Sequence, residues 1–220
     1  MESHSPNRSI IADLPRPTLP AVLASAAVLL GVALALHYAR AGLTLSHYDA
    51  KGHLVVARRI FDSLTPGWVQ VGAVWLPLPH LVNFIPVQVD VLYRTGAFGV
   101  GVSVLAFGAT VLFLAMLVLD ATRSRVAAVL ASLVVALNPD VLYLQSTPMT
   151  EPLLMALTTA AACLTIRALR SGIEKDVRRA GLVMAAACLT RYEAWPITTS
   201  LLALGLLALV WQRHCLVVAI

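Results

Sequence analysis

The chain reads as an all-α integral membrane protein with about six transmembrane helices, and three observations carry that reading. Hydrophobic residues make up 59% of the 220 and charged residues only 12%, where a soluble domain carries roughly 25%. Mean hydropathy is +0.83. Runs near the length that crosses a bilayer, about 20 residues, occur at positions 19–39, 96–119, 126–144, 149–169 and 195–212. A shorter run at 180–190 reaches about half a membrane at a rise of about 1.5 Å per residue.

Residues 1–18, with Pro6, Pro15 and Pro17 among scattered polar groups, read as a disordered cytosolic tail. That leaves 19–220 as a membrane domain. The first run, Leu19 to Leu36, is longer than the roughly 7–15 apolar residues of a cleaved signal peptide. It is expected as a retained span, although Ala33-Leu34-Ala35 imitates a cleavage site. The last residues, Cys215 to Ile220, look like the opening of a further span, so the domain is expected to be incomplete at its carboxy terminus. Cys163, Cys188 and Cys215 lie in or beside apolar runs and are too few for a disulfide framework.

Cations set the expected orientation. Arg8, Arg16, Arg123, Arg125, Arg167, Arg170, Lys175, Arg178, Arg179 and Arg213 all fall at one end of the runs. With these on the cytosolic side, a plasma (inner) membrane protein exposes three connections outside. These are the long loop 40–95, the turn Asn138-Pro139-Asp140 and the break Thr190-Arg191-Tyr192-Glu193. The last requires 180–190 and 195–212 to form a hairpin. A single broken helix across 180–212 is the alternative. The net charge of +5 follows from cations beside lipid and gives no reason to expect a nucleic-acid partner.

The long loop holds the densest chemistry. Leu54, Ala57, Ile60, Phe61 and Leu64 recur at helical spacing, with Lys51, Arg58, Arg59 and Asp62 on other faces. This suits an amphipathic helix lying in the interface. Asp49 opens that helix and is either a general base for an acceptor hydroxyl or the helix N-cap. His53, four residues on, shares its face. Pro77 and Pro79 predict an extended path that lays Trp75 and His80 along a groove; Trp75 also suits an interfacial anchor. Arg58 could contact phosphate or a headgroup. Glu151 begins the 149–169 run, where the helix dipole favours an acid. Arg191 and Glu193 follow only about ten apolar residues, so they lie below the outer surface, as an ion pair or lining a cavity.

Taken together these segments resemble the amino-terminal part of GT-C type glycosyltransferases that use lipid-linked sugars, most closely glycosyltransferase family 39, the protein-mannosyltransferase and aminoarabinose-transferase-like group. The resemblance rests on Tyr48-Asp49-Ala50-Lys51-Gly52-His53 after the first span, Ala57-Arg58-Arg59-Ile60-Phe61-Asp62-Ser63 and Trp75-Leu76-Pro77-Leu78-Pro79-His80 later in the loop. Pro148-Met149-Thr150-Glu151-Pro152-Leu153-Leu154 and Leu189-Thr190-Arg191-Tyr192-Glu193-Ala194-Trp195-Pro196 complete it. Many relatives carry two adjacent acids after the first span. Ala50 stands in the second place here, leaving either His53 to compensate or a different acceptor.

The resemblance implies transfer of a sugar from a polyprenyl-phosphate donor to a lipid, glycan or protein acceptor at the extracytoplasmic face. It implies inversion at the anomeric carbon, Asp49 as base, and a donor tail lying among the spans in contact with membrane lipids. His53, Arg58, Trp75, His80, Glu151, Arg191 and Glu193 are the expected substrate-binding residues, with Arg58 and Arg191 facing phosphate. Glu151 is assigned to the acceptor or, if the reaction uses a divalent cation such as Mg or Mn, to that ion. Two other classes fit parts of the pattern: a polytopic transporter lined by Glu151, Arg191 and Glu193, and a membrane-embedded metal-dependent hydrolase with Asp49, His53 and His80 as ligands.

Overall fold

The computed structural model describes residues 18–71 and 74–218, with side chains through Trp211. Apart from Thr18, the tail expected over 1–18 lies outside the described residues. All regular structure among the described residues is helical: α1 (Leu19–Arg40), α2 (Tyr48–Arg59), α3 (Leu78–Asn83), α4 (Asp90–Thr95), α5 (Ala97–Thr122), α6 (Arg125–Ala136), α7 (Pro139–Leu144), α8 (Glu151–Ser171), α9 (Glu174–Cys188) and α10 (Ala194–Val218). Two 3-10 turns, Trp68–Val71 and Pro86–Gln88, lie within the long loop.

Among the described residues, four helices are long and apolar enough to cross a membrane, α1, α5, α8 and α10, as expected of an α-helical membrane protein. The run at 126–144 is not one helix. α6 stops at Ala136, and the Asn138 side chain accepts hydrogen bonds from the backbone N–H groups of Asp140 (2.9 Å) and Val141 (3.2 Å), with Pro139 opening α7. Asparagine at the cap and proline at the first helical position start a new helix whatever the hydropathy around them. The expected break after 180–190 is present: α9 ends at Cys188 and α10 starts at Ala194. The two helices are antiparallel, since Val177 near the start of α9 and Leu209 late in α10 line one cavity. Cys215–Val218 lies within α10.

α5 is the centre of the bundle, packed on α1 at one side and α8 at the other. Its buried residues include Ser103, Phe107, Val111 and Ala115. Small residues let the backbones approach, as membrane interfaces require in the absence of a hydrophobic drive between helices. At Gly108 a Cβ would collide with Val28 of α1, so the α1–α5 contact depends on that glycine. Ala160 and Ala161 of α8 are buried in the same way. α10 is the least covered of the spans, only 6% of its apolar window being buried.

α2 buries Ala50, His53, Leu54 and Ala57, followed by Ile60. The expected apolar face therefore holds through Ile60 and ends there. Phe61 and Leu64, expected on it, are 56% and 104% exposed, because the helix stops at Arg59 and its periodicity lapses.

Candidate active site at the α2–α3 and α9–α10 junction

Four chain segments meet at one end of the bundle: α2, the proline segment leading into α3, the start of α8 and the break between α9 and α10. The N–H of Leu78 donates to the carbonyl of Leu189 at 2.9 Å, docking the proline segment onto the break after α9. The path expected to be extended through 75–80 instead bends at Trp75 and turns helical from Pro77 (φ −74°, ψ −29°). Pro79 then falls in the first turn of α3, where a missing N–H costs nothing. That turn points His80 inward, fully buried, and its ring nitrogen Nε2 lies 3.1 Å from Nδ1 of His53.

Trp75 closes over this pair. Its ring lies 4.3 Å from that of His53, centroid to centroid, at 41°. The contact needs Gly52, where a Cβ would come within 2.7 Å of the indole Cη2. Burial, the nearby His80 and then Arg191 push the His53 pKa down to about 3. Burial takes His80 down to about 4, opposed in part by the Leu76 carbonyl, which lies near the ring outside good hydrogen-bond geometry. Both imidazoles are neutral at pH 7, so one donates to the other.

Beside the pair, Arg191 gathers the acids. Its Nη1 donates to Glu151 Oε1 at 2.8 Å and to Thr150 Oγ1 at 3.0 Å. Nη2 donates to Glu193 Oε1 at 2.6 Å, and Nε donates to both oxygens of the same carboxylate at 3.2 Å. The hydrogen bond to Glu193 comes first among the causes holding the guanidinium charged, and Asp49 adds to the field. Glu193 is held below the usual carboxylate range by the same arginine. Of the five guanidinium N–H groups, four are committed in this arrangement. Arg191 thus orients two carboxylates and keeps one N–H.

Asp49 is not the helix cap. His47 fills that role, its Nδ1 accepting from the Asp49 N–H at 3.2 Å. The Asp49 carboxylate is left half-buried in the first turn of α2, one turn before His53. Ala50, in the place of a second acid, is fully buried and points into the core.

The structure therefore brings Asp49, His53, Trp75, His80, Glu151, Arg191 and Glu193 to one junction. Arg58 is not among them. It lies on the opposite face of α2, bonded to Asp62 (2.8 Å) and Asp90 (2.7 Å) and stacked 4.5 Å over the Tyr93 ring. Two further residues join the junction. Thr150 holds Arg191, and it lies inside the Pro148–Leu154 motif. Asn83 is buried one turn after His80 with Oδ1 unpartnered; its spacing from His80 was the available signal.

Several polar atoms here are shut off from solvent without partners: His80 Nδ1, Asn83 Oδ1 and Glu151 Oε2. Such atoms are rare in folded proteins, and an ordered water, an ion, a catalytic role or strain accounts for them. Asp49, Glu151 and Glu193 against Arg191 leave two negative charges in excess. No group of three or more His, Cys, Asp or Glu side chains is arranged to hold a metal among the described residues. Comparison with known proteins finds no matching family model, no significant match among curated proteins and none among solved structures.

Proposed function

We propose that this chain belongs to the machinery that transfers a sugar from a polyprenyl-phosphate donor to an acceptor hydroxyl at the extracytoplasmic membrane face, on a GT-C-like helical framework. The observation that carries the reading is the convergence of Asp49 with the Arg191 carboxylate cluster and the buried His53–His80 pair. These groups come from four segments of the chain, around residues 49–53, 80, 151 and 191–193. The sidedness in this reading rests on the sequence: ten of the 16 lysines and arginines flank the ends of the apolar runs expected to be cytosolic, and six flank the other ends.

In this reading Asp49 accepts the proton of the acceptor hydroxyl. The acceptor oxygen then attacks the anomeric carbon as the carbon–oxygen bond to the donor phosphate breaks, with inversion. The polyprenyl phosphate leaves with the bonding electron pair. The surplus of carboxylates favours the positive charge that develops at the sugar ring in such reactions. Arg191 holds Glu151 and Glu193 in place and offers its remaining N–H to the departing phosphate. Trp75, packed on the neutral and buried His53–His80 pair, offers an uncharged face to the sugar. A divalent cation, where one is used, would be held by Glu151 with phosphate oxygens and water and would offset the leaving charge.

The test is Asp49→Asn in the full-length protein, assayed with a panel of radiolabelled polyprenyl-phosphate sugars. Transfer is expected to fall by at least 10²-fold, the usual contribution of a positioned base, while donor binding persists. Transfer at the unsubstituted rate eliminates the assignment.

A further inference from the structure

On the far side of α2 from the acids, α1 and α5 enclose a groove of about 430 Å³. Val28, Val32, Ala35 and Ala39 of α1 face Val100 and Val104 of α5 along it. From Val28 to Ala39 it runs roughly 16 Å at helical rise, parallel to the spans. At its rim, Thr44 and Thr95 adjoin Leu45 and Arg94, which line a second cavity together with Lys51. Arg94 and Tyr93 lead on to a third, walled by Arg58, Arg59, Asp62 and Asp90.

The charges at this rim do not cancel. Lys51, Arg58, Arg59 and Arg94 are four cations against the two carboxylates Asp62 and Asp90, leaving two positive charges in excess. Both carboxylates are spent on Arg58. Lys51, Arg59 and Arg94 form no salt bridge among the described residues. The rim also carries an unsatisfied atom, since Thr44 Oγ1 is shut off from solvent and has no partner. A buried hydroxyl in that state calls for an acceptor or donor from elsewhere.

An apolar channel along two spanning helices, ending in cations at interfacial depth, has the shape and polarity of a phospholipid. We propose that the α1–α5 groove is a binding site for an anionic phospholipid, one acyl chain lying between the helices and the phosphate held by Lys51 and Arg94. The site is separate from the acidic junction: on α2, Lys51 and Arg58 face away from Asp49 and His53. It does not depend on the transferase reading.

The test uses the full chain purified in detergent and native mass spectrometry to count bound lipid. The probes are dioleoyl-phosphatidylglycerol, dioleoyl-phosphatidylcholine and soluble glycerol 3-phosphate. Phosphatidylglycerol is expected to bind about tenfold more tightly than the zwitterionic lipid, an ordinary effect of one charge pair, and the soluble phosphate not measurably. The double variant Lys51→Gln/Arg94→Gln should remove that tenfold preference. Gly101→Leu fills the groove from a position where a Cβ meets nothing within 4 Å, so it should fold normally and weaken retention of both lipids. Equal retention of the two lipids, soluble phosphate binding as tightly as phosphatidylglycerol, or undiminished retention in Gly101→Leu overturns the proposal. Asp49→Asn should retain the lipid fully, so this result and the transfer assay fail independently.

Discussion

His53 and His80, 27 residues apart in the chain, face each other ring nitrogen to ring nitrogen at 3.1 Å in a pocket closed to solvent. The contact joins the first loop helix to the proline segment and sets the depth at which both meet the α9–α10 break.

Protonation should undo that contact. Both histidines have folded-state pKa values, about 3 and about 4, below the ordinary 6.5. Between those limits the unfolded loop binds more protons than the folded one, so stability rises with pH across that window. It is complete above pH 6.5 and is lost as pH falls toward 4, by an amount on the order of a few kcal/mol. Hydrogen exchange of the α2 and α3 amides at pH 7.5 and pH 5 measures it. Equal protection at both values would contradict neutral buried rings.

Gly52→Ala sets two effects against each other. Alanine gains about 1 kcal/mol in helix propensity, while its methyl meets the Trp75 ring, and overpacking costs roughly 1–3 kcal/mol. Trp75 is only partly buried and its ring edge is free to swing, so the ring should move and the fold survive. The expected result is a melting temperature within a few degrees of the unsubstituted protein and a shifted Trp75 emission. The shift is read in a variant with Trp68, Trp195 and Trp211 replaced by phenylalanine. An unmoved emission spectrum refutes the close approach.

Ala50→Asp recreates the paired acids of the family that the loop resembles. At a fully buried position the added carboxylate has no partner, and burying it should cost at least about 3 kcal/mol. Reduced folded yield and lower thermal stability are expected, with no gain in transfer. A stable and more active variant would show that this face of α2 opens to the site.

Arg191 and Arg58 should separate cleanly. Arg191→Gln leaves Glu151 unpaired where both side chains are 26% exposed, a loss of about 2–3 kcal/mol after allowance for partial solvation. Arg58 bonds to carboxylates that are themselves 63% and 64% exposed, so Arg58→Gln should cost much less than Arg191→Gln. Denaturant unfolding of the two variants decides it, and equal losses would mean that the Glu151 carboxylate is no better sheltered than those of Asp62 and Asp90.

Spanning helices were legible because hydropathy is additive along a run: the 19–39 and 149–169 runs match α1 and α8 to within two residues. The break at Arg191 was legible for the same reason, since charge after about ten apolar residues cannot continue a span. The 126–144 run misled because a capping asparagine weighs little in a hydropathy sum yet decides a helix boundary. The proline segment misled in the opposite way, its Pro79 opening a helix. Pairings between distant segments, His53 with His80 and Arg191 with Glu151, left no local trace. Such contacts are products of the tertiary packing of α2, α3 and α8 around the last hairpin.

The single backbone bond from Leu78 to Leu189 has a mechanical consequence. It ties the segment that leads into α3 to the pivot between α9 and α10. Any rocking of α9 against α10 therefore tugs the strap that carries His80, and the packing of Trp75 on His53 and His80 resists that movement.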